Sequence, residues 1–153
     1  MATVDSTRAV GERSGGRAAL EADTWELLGD LYLLQKPQVM AICREFDLFP
    51  PQVLVLRSLD RPRPMRDVAA TMGCDSSNLT GITDRLEERG LVQRSADPGD
   101  RRVKRLVLTA DGERLREEIV GRLRRPPPGA IDALTQRDLR RLQALLHKAL
   151  GEK

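Results

Sequence analysis

The residues of this sequence that could do chemistry are cationic and amidic rather than nucleophilic. Between Arg89 and Arg105, six bases (Arg89, Arg94, Arg101, Arg102, Lys104, Arg105) face two acids, Asp97 and Asp100, a surplus of +4 in 17 residues. The whole chain, with 26 Lys and Arg against 23 Asp and Glu, carries only +3, so the positive charge is local. Bases concentrated in this way suit a polyanion such as a phosphate backbone. Just upstream, Ser76, Ser77, Asn78, Thr80, Gly81 and Arg85 lie on the polar face of a helical pattern that starts at Asp75-Ser76-Ser77. The free amides and dipole of a helix start favour phosphate, Asn78 has the geometry to read an adenine edge, and Arg85 that to read guanine. Arg85 could instead pair with Glu87 or Glu88 along the helix, leaving base contact to the short side chains.

Catalysis finds no matching constellation. The one histidine, His147, sits between Leu146 and Lys148, and the sequence contains no G-x-S-x-G, no phosphate loop of the Walker type and no H-E-x-x-H. The acid pairs Glu87-Glu88 and Glu117-Glu118 stand beside arginines and read as solvated faces rather than acid and base groups. Cys43 and Cys74 are 31 positions apart with no CxxC, which excludes the usual zinc spacings. The expectation is a non-enzyme without cofactor or metal, its two thiols small, partly buried and reduced. Redox sensing by one of these thiols is an alternative.

The elements that must position the basic and polar groups follow from the apolar spacing. Leu27, Leu28, Leu31, Leu34, Ile42 and Phe46 predict a long helix from Asp23 to Phe46, capped by Asp23 or Thr24, and Pro37 should kink or divide it. Pro50-Pro51 opens a short second helix with Val53, Leu54, Leu56 and Leu59 as its buried face. A third, Met65 to Met72, presents Val68 and Ala69 and ends at Gly73, and a fourth repeats Leu79, Ile82 and Leu86 up to Gly90. Leu91–Arg94 and Val103–Leu108 predict a hairpin across the turn cluster Ala96–Asp100. Thr109 caps a fifth helix that Pro126-Pro127-Pro128-Gly129 breaks, and after Thr135 a leucine stripe (Leu139, Leu142, Leu145, Leu146, Leu150) makes a last amphipathic helix.

With 153 residues, 40% hydrophobic and 3% aromatic, the chain suits one aliphatic core. Its longest aliphatic run, Val53–Leu56, is far too short to span a bilayer, and residues 1–20 lack an apolar leader core, so the expected location is the cytoplasm, away from membranes. Those first 20 residues, with three glycines, read as a flexible arm. Helix, helix, turn, helix and a basic hairpin is the order of a winged helix-turn-helix, mainly α with a small β-wing, whose second turn helix enters the major groove while the hairpin reaches the minor groove.

The run from Asp75 to Arg94, followed by Asp97-Pro98-Gly99-Asp100-Arg101-Arg102-Val103 and Leu106–Gly112, resembles the MarR family of bacterial transcriptional regulators. The likeness is dense from Phe49 to Gly112 and extends more loosely over nearly everything after residue 20. It implies one domain over 21–153, with 48–112 as a DNA-binding winged-helix lobe and 21–47 and 113–153 as helices that interlock in a homodimer. The leucine stripe and surplus apolar positions of the first helix point to the same dimer independently. It further implies repression at a pseudo-palindromic duplex operator, with half-sites about 34–36 Å apart, relieved by a small-molecule effector. By the family pattern Arg102 enters the minor groove, Asp100 orients it, and Arg101 and Lys104 suit phosphates. The family's effector pocket lies between the dimer helices and the lobe; Trp25, Tyr32, Met40, Arg44 and Phe46 are of a type to line it and equally of a type to pack in a core or dimer contact. A winged-helix module for protein contacts is the alternative from another class.

Overall fold

A computed structural model describes residues 16–151. It contains two compact units, one ending at Leu33 and one starting at Leu34. Helix α1 (Arg17–Glu45) begins six residues before the expected Asp23, so Arg17–Leu20 belong to the helix rather than to an arm; the rest of the expected arm lies outside the described residues. Ala18, Ala19 and Leu20 are strong helix formers, and an Arg17–Glu21 pair one turn apart supports the start. Thr24 is therefore interior, its hydroxyl donating to the Leu20 carbonyl at 2.6 Å instead of capping. Pro37 lies inside α1, which runs on past it as one helix.

From Leu34 onward the elements follow the predicted order. Helices α2 (Pro50–Ser58), α3 (Met65–Met72) and α4 (Ser76–Glu88) precede a hairpin of β2 (Val92–Ala96) and β3 (Lys104–Leu108), then α5 (Ala110–Leu123) and α6 (Gln136–Leu150). A two-residue strand, β1 (Arg63–Pro64), pairs Arg63 with Leu106 and makes the hairpin a three-stranded antiparallel sheet in the order β1-β3-β2. Two residues with a proline on the outer edge carry no period that sequence could reveal.

Ile42, Leu56, Leu79, Leu86, Leu106 and Ile119 form the centre of the core, contributed by five different elements. On α2 the inner face is Val53, Val55, Leu56 and Leu59, while Leu54, expected inside, is 43% exposed. On α4 the fully buried set is Leu79, Thr83 and Leu86, and Ile82 is only half-buried. Gly73 ends α3 in the left-handed conformation (φ 61°), and Gly112, in the first turn of α5, allows a close approach of two backbones. A Cβ there would sit 1.9 Å from the Leu91 carbonyl oxygen. Thr109 fixes the same junction: its amide donates to the Leu91 carbonyl, its hydroxyl donates to the Gly90 carbonyl and accepts from the Gly112 amide. The wing and α5 are thus joined through backbone, which holds the hairpin to one geometry.

Candidate nucleic-acid interface

Helix α4 begins at Asp75, whose carboxylate accepts from the Asn78 amide and the Ser77 hydroxyl, both at 2.7 Å. Those two hydrogen bonds hold the Asp75 carboxyl below its ordinary pKa. The Thr80 hydroxyl donates to the Ser76 carbonyl at 2.8 Å. Ser77 and Thr80 therefore use their protons within the helix, and outward donation falls to the Ser76 hydroxyl, the Asn78 carboxamide and Arg85 on an exposed face that also carries Gly81. The space above Gly81 is open, with nothing within 4 Å of where a Cβ would stand. Neither Glu87 nor Glu88 captures Arg85; its guanidinium carbon lies 5.8 Å from the centroid of the Phe49 ring instead.

Of the six bases between Arg89 and Arg105, three are engaged inside the molecule. Arg89 donates to the Phe46 carbonyl at 2.8 Å and to the Asp47 carbonyl at 2.5 Å, closing the turn after α1. Arg94 on β2 grips α4, with Nη1 on Glu87 at 2.5 Å and Nη2 on Asp84 at 2.6 Å and on the Thr83 hydroxyl at 2.5 Å. Arg105 pairs with Asp97 at 3.4 Å and donates to the Pro62 carbonyl at 2.7 Å. Arg101, Arg102 and Lys104 are exposed and make no such contact among the described residues, so the outward charge of the stretch is concentrated at the hairpin tip.

The loop between the strands is held by carboxylates. Asp97 accepts from the amides of Gly99 (2.8 Å) and Asp100 (3.3 Å), and Asp100 accepts from the Arg102 amide at 3.0 Å. Asp100 thus reaches Arg102 through its backbone rather than its guanidinium. The structure places Asp100, Arg101, Arg102 and Lys104 on one hairpin, as the sequence reading grouped them, while that reading gave no structural role to Asp97, Arg94 and Thr83, which fix the wing. It also passed over Phe49. The alternation of buried and exposed positions in β2 could have pointed to Arg94; the Phe49 ring has no periodic signal.

The cysteines form no disulfide: Cys43 is 4% exposed, Cys74, next to the α4 cap Asp75, is half-buried, and both thiols are free. Burial pushes the Cys43 thiol up, the reverse of what a reactive thiolate needs. Phe46 lies under the Arg122 guanidinium, 5.1 Å from ring centroid to carbon. Among the described residues there is no cluster of three metal-ligating side chains and no helix long and apolar enough to cross a membrane.

Comparison with known proteins places this arrangement. The sequence model of the MarR family matches residues 48–104, from two residues before α2 to the first residue of β3. The HTH-type transcriptional regulator YsmB of Bacillus subtilis (strain 168) is 31% identical over 101 residues, covering 65% of this chain and 69% of that protein. A MarR-family transcriptional regulator from Rhodococcus sp. RHA1 superposes with a TM-score of 0.68 at 29% identity, over 85% of this chain and 94% of that one. BpsR of Bordetella bronchiseptica, whose DNA binding is regulated by 6-hydroxynicotinic acid, is 25% identical with a TM-score of 0.64, over 84% of this chain and 93% of that one. A winged helix-turn-helix with this wing, matched in sequence and in fold, makes the chain a member of the MarR family of transcriptional regulators.

Proposed function

We propose that the chain is a cytoplasmic repressor that binds a pseudo-palindromic duplex operator as a homodimer and releases it when a small molecule binds. The observation that carries this reading is the pairing of two unpartnered donor groups: Asn78 and Arg85 on α4, and Arg101, Arg102 and Lys104 on a hairpin that Arg94 fastens to that helix. In this reading α4 lies in the major groove, where Asn78 and Arg85 meet base edges, with Ser76, Ser77, Thr80 and Gly81 against the groove wall. Arg102, set by Asp100, enters the neighbouring minor groove, and Arg101 and Lys104 neutralise phosphates.

Dimerisation is supported by apolar surface left exposed among the described residues. No residue of α6 is buried, and Leu145, Leu146 and Leu150 are exposed along it. On residues 16–33, Trp25, Leu27, Leu31 and Tyr32 are exposed as well. Patches of this kind mark protein interfaces, and a second copy satisfies them with the symmetry a palindromic site requires. An effector acts by preferring a dimer whose α4 helices no longer match the half-site spacing. Support for a small-molecule effector comes from BpsR.

Selection of preferred duplexes from a random pool tests the proposal. The expected motif has two inverted half-sites whose centres are about 10 base pairs apart, bound by a complex whose mass holds two chains per duplex. A pool that returns no enriched sequence, or a complex with one chain, contradicts it.

A further inference from the structure

Phe49 occupies the N-cap of α2, where a short polar side chain ordinarily satisfies the first amides. Its ring cannot do so. The helix start is secured instead by the buried Gln52, whose Oε1 accepts the Phe49 amide at 2.8 Å, and by prolines at the first helical positions. The ring itself is 61% exposed, so it is not there for the core. A local preference broken without a packing gain points to a use on the surface.

What the ring does touch is Arg85. Phe49 and Arg85 both line an open groove of about 540 Å³, with Ser77, Asn78, Gly81 and Ile82 among its other residues. Gly81 is one turn before Arg85, and its empty Cβ position leaves clear the turn over which an arginine side chain lies back. Of the acids nearest along the helix, Asp84 and Glu87 are held by Arg94, and Glu88 forms no ion pair with Arg85 among the described residues. An unrestrained arginine loses several rotatable bonds on meeting a base, and a ring beneath its guanidinium removes part of that loss beforehand.

We propose that Phe49 is a positioning and specificity-determining residue, which holds the Arg85 guanidinium over its ring so that Arg85 reads one guanine of the operator half-site. The proposal rests on the DNA-binding reading above. Phe49 contributes through Arg85 and not through phosphates, so its loss relaxes one base position and leaves the salt dependence of binding unchanged.

The test compares full-length wild type with Phe49→Leu, Phe49→Tyr, Arg85→Ala and the Phe49→Leu/Arg85→Ala double variant. Each binds the duplex that selection returns for wild type, and its single-base-pair variants, across a salt series. Circular dichroism verifies the fold of each variant. Arg85→Ala weakens binding about 5- to 150-fold and loses discrimination at one G·C pair. Phe49→Leu weakens binding about 3- to 10-fold and relaxes the same pair, Phe49→Tyr restores both, and the double variant is no weaker than Arg85→Ala. Losses that multiply in the double variant, a uniform loss across all sequences, a changed salt slope or wild-type behaviour of Phe49→Leu each overturn the role of Phe49 while leaving DNA binding intact. A wild-type protein without sequence preference overturns both readings together.

Discussion

The Arg94 guanidinium lies 2.6 Å from the Asp84 carboxylate, a contact that ties the first strand of the hairpin to the C-terminal half of helix α4. Because the same side chain also holds Glu87 and the buried Thr83 hydroxyl, one residue sets the distance between the wing and the helix beside it. Replacing Arg94 with Leu leaves two carboxylates without their cation, partly shielded from water. The expected cost is about 1–2 kcal/mol of stability, together with a loss of specific DNA binding larger than that loss of stability explains. Urea unfolding beside binding to the selected duplex measures both; a stability change with untouched binding would deny the positioning role.

Gly112 gives a second test, of the fold alone. With the Leu91 carbonyl where a Cβ would stand, Gly112→Ala must part the wing from α5 at a junction made of backbone, which cannot yield by a rotamer change. We expect about 2–4 kcal/mol of destabilisation, beyond any gain from helix propensity. By contrast Gly81→Ala, also helical but facing open space, raises the melting temperature. Equal effects of the two substitutions in thermal unfolding would contradict the packing described.

At the start of α4 the prediction concerns pH. The Asn78 amide and Ser77 hydroxyl lower the pKa of Asp75 in the folded chain, so its contribution is complete above the unfolded value of about 3.9 and is lost as pH falls through the lower folded value. Asp75→Asn keeps a capping oxygen without the charge. The wild type therefore melts higher than Asp75→Asn at pH 6, and the gap closes as the pH falls below about 4. A gap that stays constant on acidification would show that the charge contributes nothing at this cap.

The wing separates two kinds of contact. Arg102→Ala should cost about 1–3 kcal/mol on the preferred duplex and far less on an unrelated one. Arg101→Ala and Lys104→Ala should weaken binding to all duplexes alike and reduce the salt slope by about 1 each. Identical profiles for the three variants, measured over the same salt range, would remove the distinction between groove and phosphate contacts.

Much of the lobe was legible because its signals are local. Asp75, Thr109 and Thr135 each cap the helix that the sequence assigns to them, since a side-chain oxygen meeting an amide three residues on is a short-range event. The hairpin follows in the same way from two β-rich runs on either side of the turn cluster Ala96–Asp100. Burial inside a helix was less legible: Thr83 rather than Ile82 faces inward because it receives Arg94 from a distant strand, and Val55 replaces Leu54 because α2 is turned by what packs on it. The helical start of α1 at Arg17 was hidden by the glycines just before it.

Counting bases from Arg89 to Arg105 overstates the charge that faces outward, because Arg89, Arg94 and Arg105 meet partners 43, 10 and 43 positions away in sequence, which no local pattern announces. Arg101 and Arg102 keep their roles as candidates because the turn that presents them is built from Asp97 and Asp100, both within the same seven residues.

The central claim, that α4 and the wing together bind duplex DNA by sequence, is tested most directly by fluorescence anisotropy. Wild-type protein is titrated onto the selected duplex and onto a scrambled duplex of equal length, from about 50 to 200 mM salt. The account predicts binding at least about 1,000-fold tighter to the selected duplex, weakening steeply with salt on both as counterions return to the phosphates. Equal, weak binding to the two duplexes would contradict it.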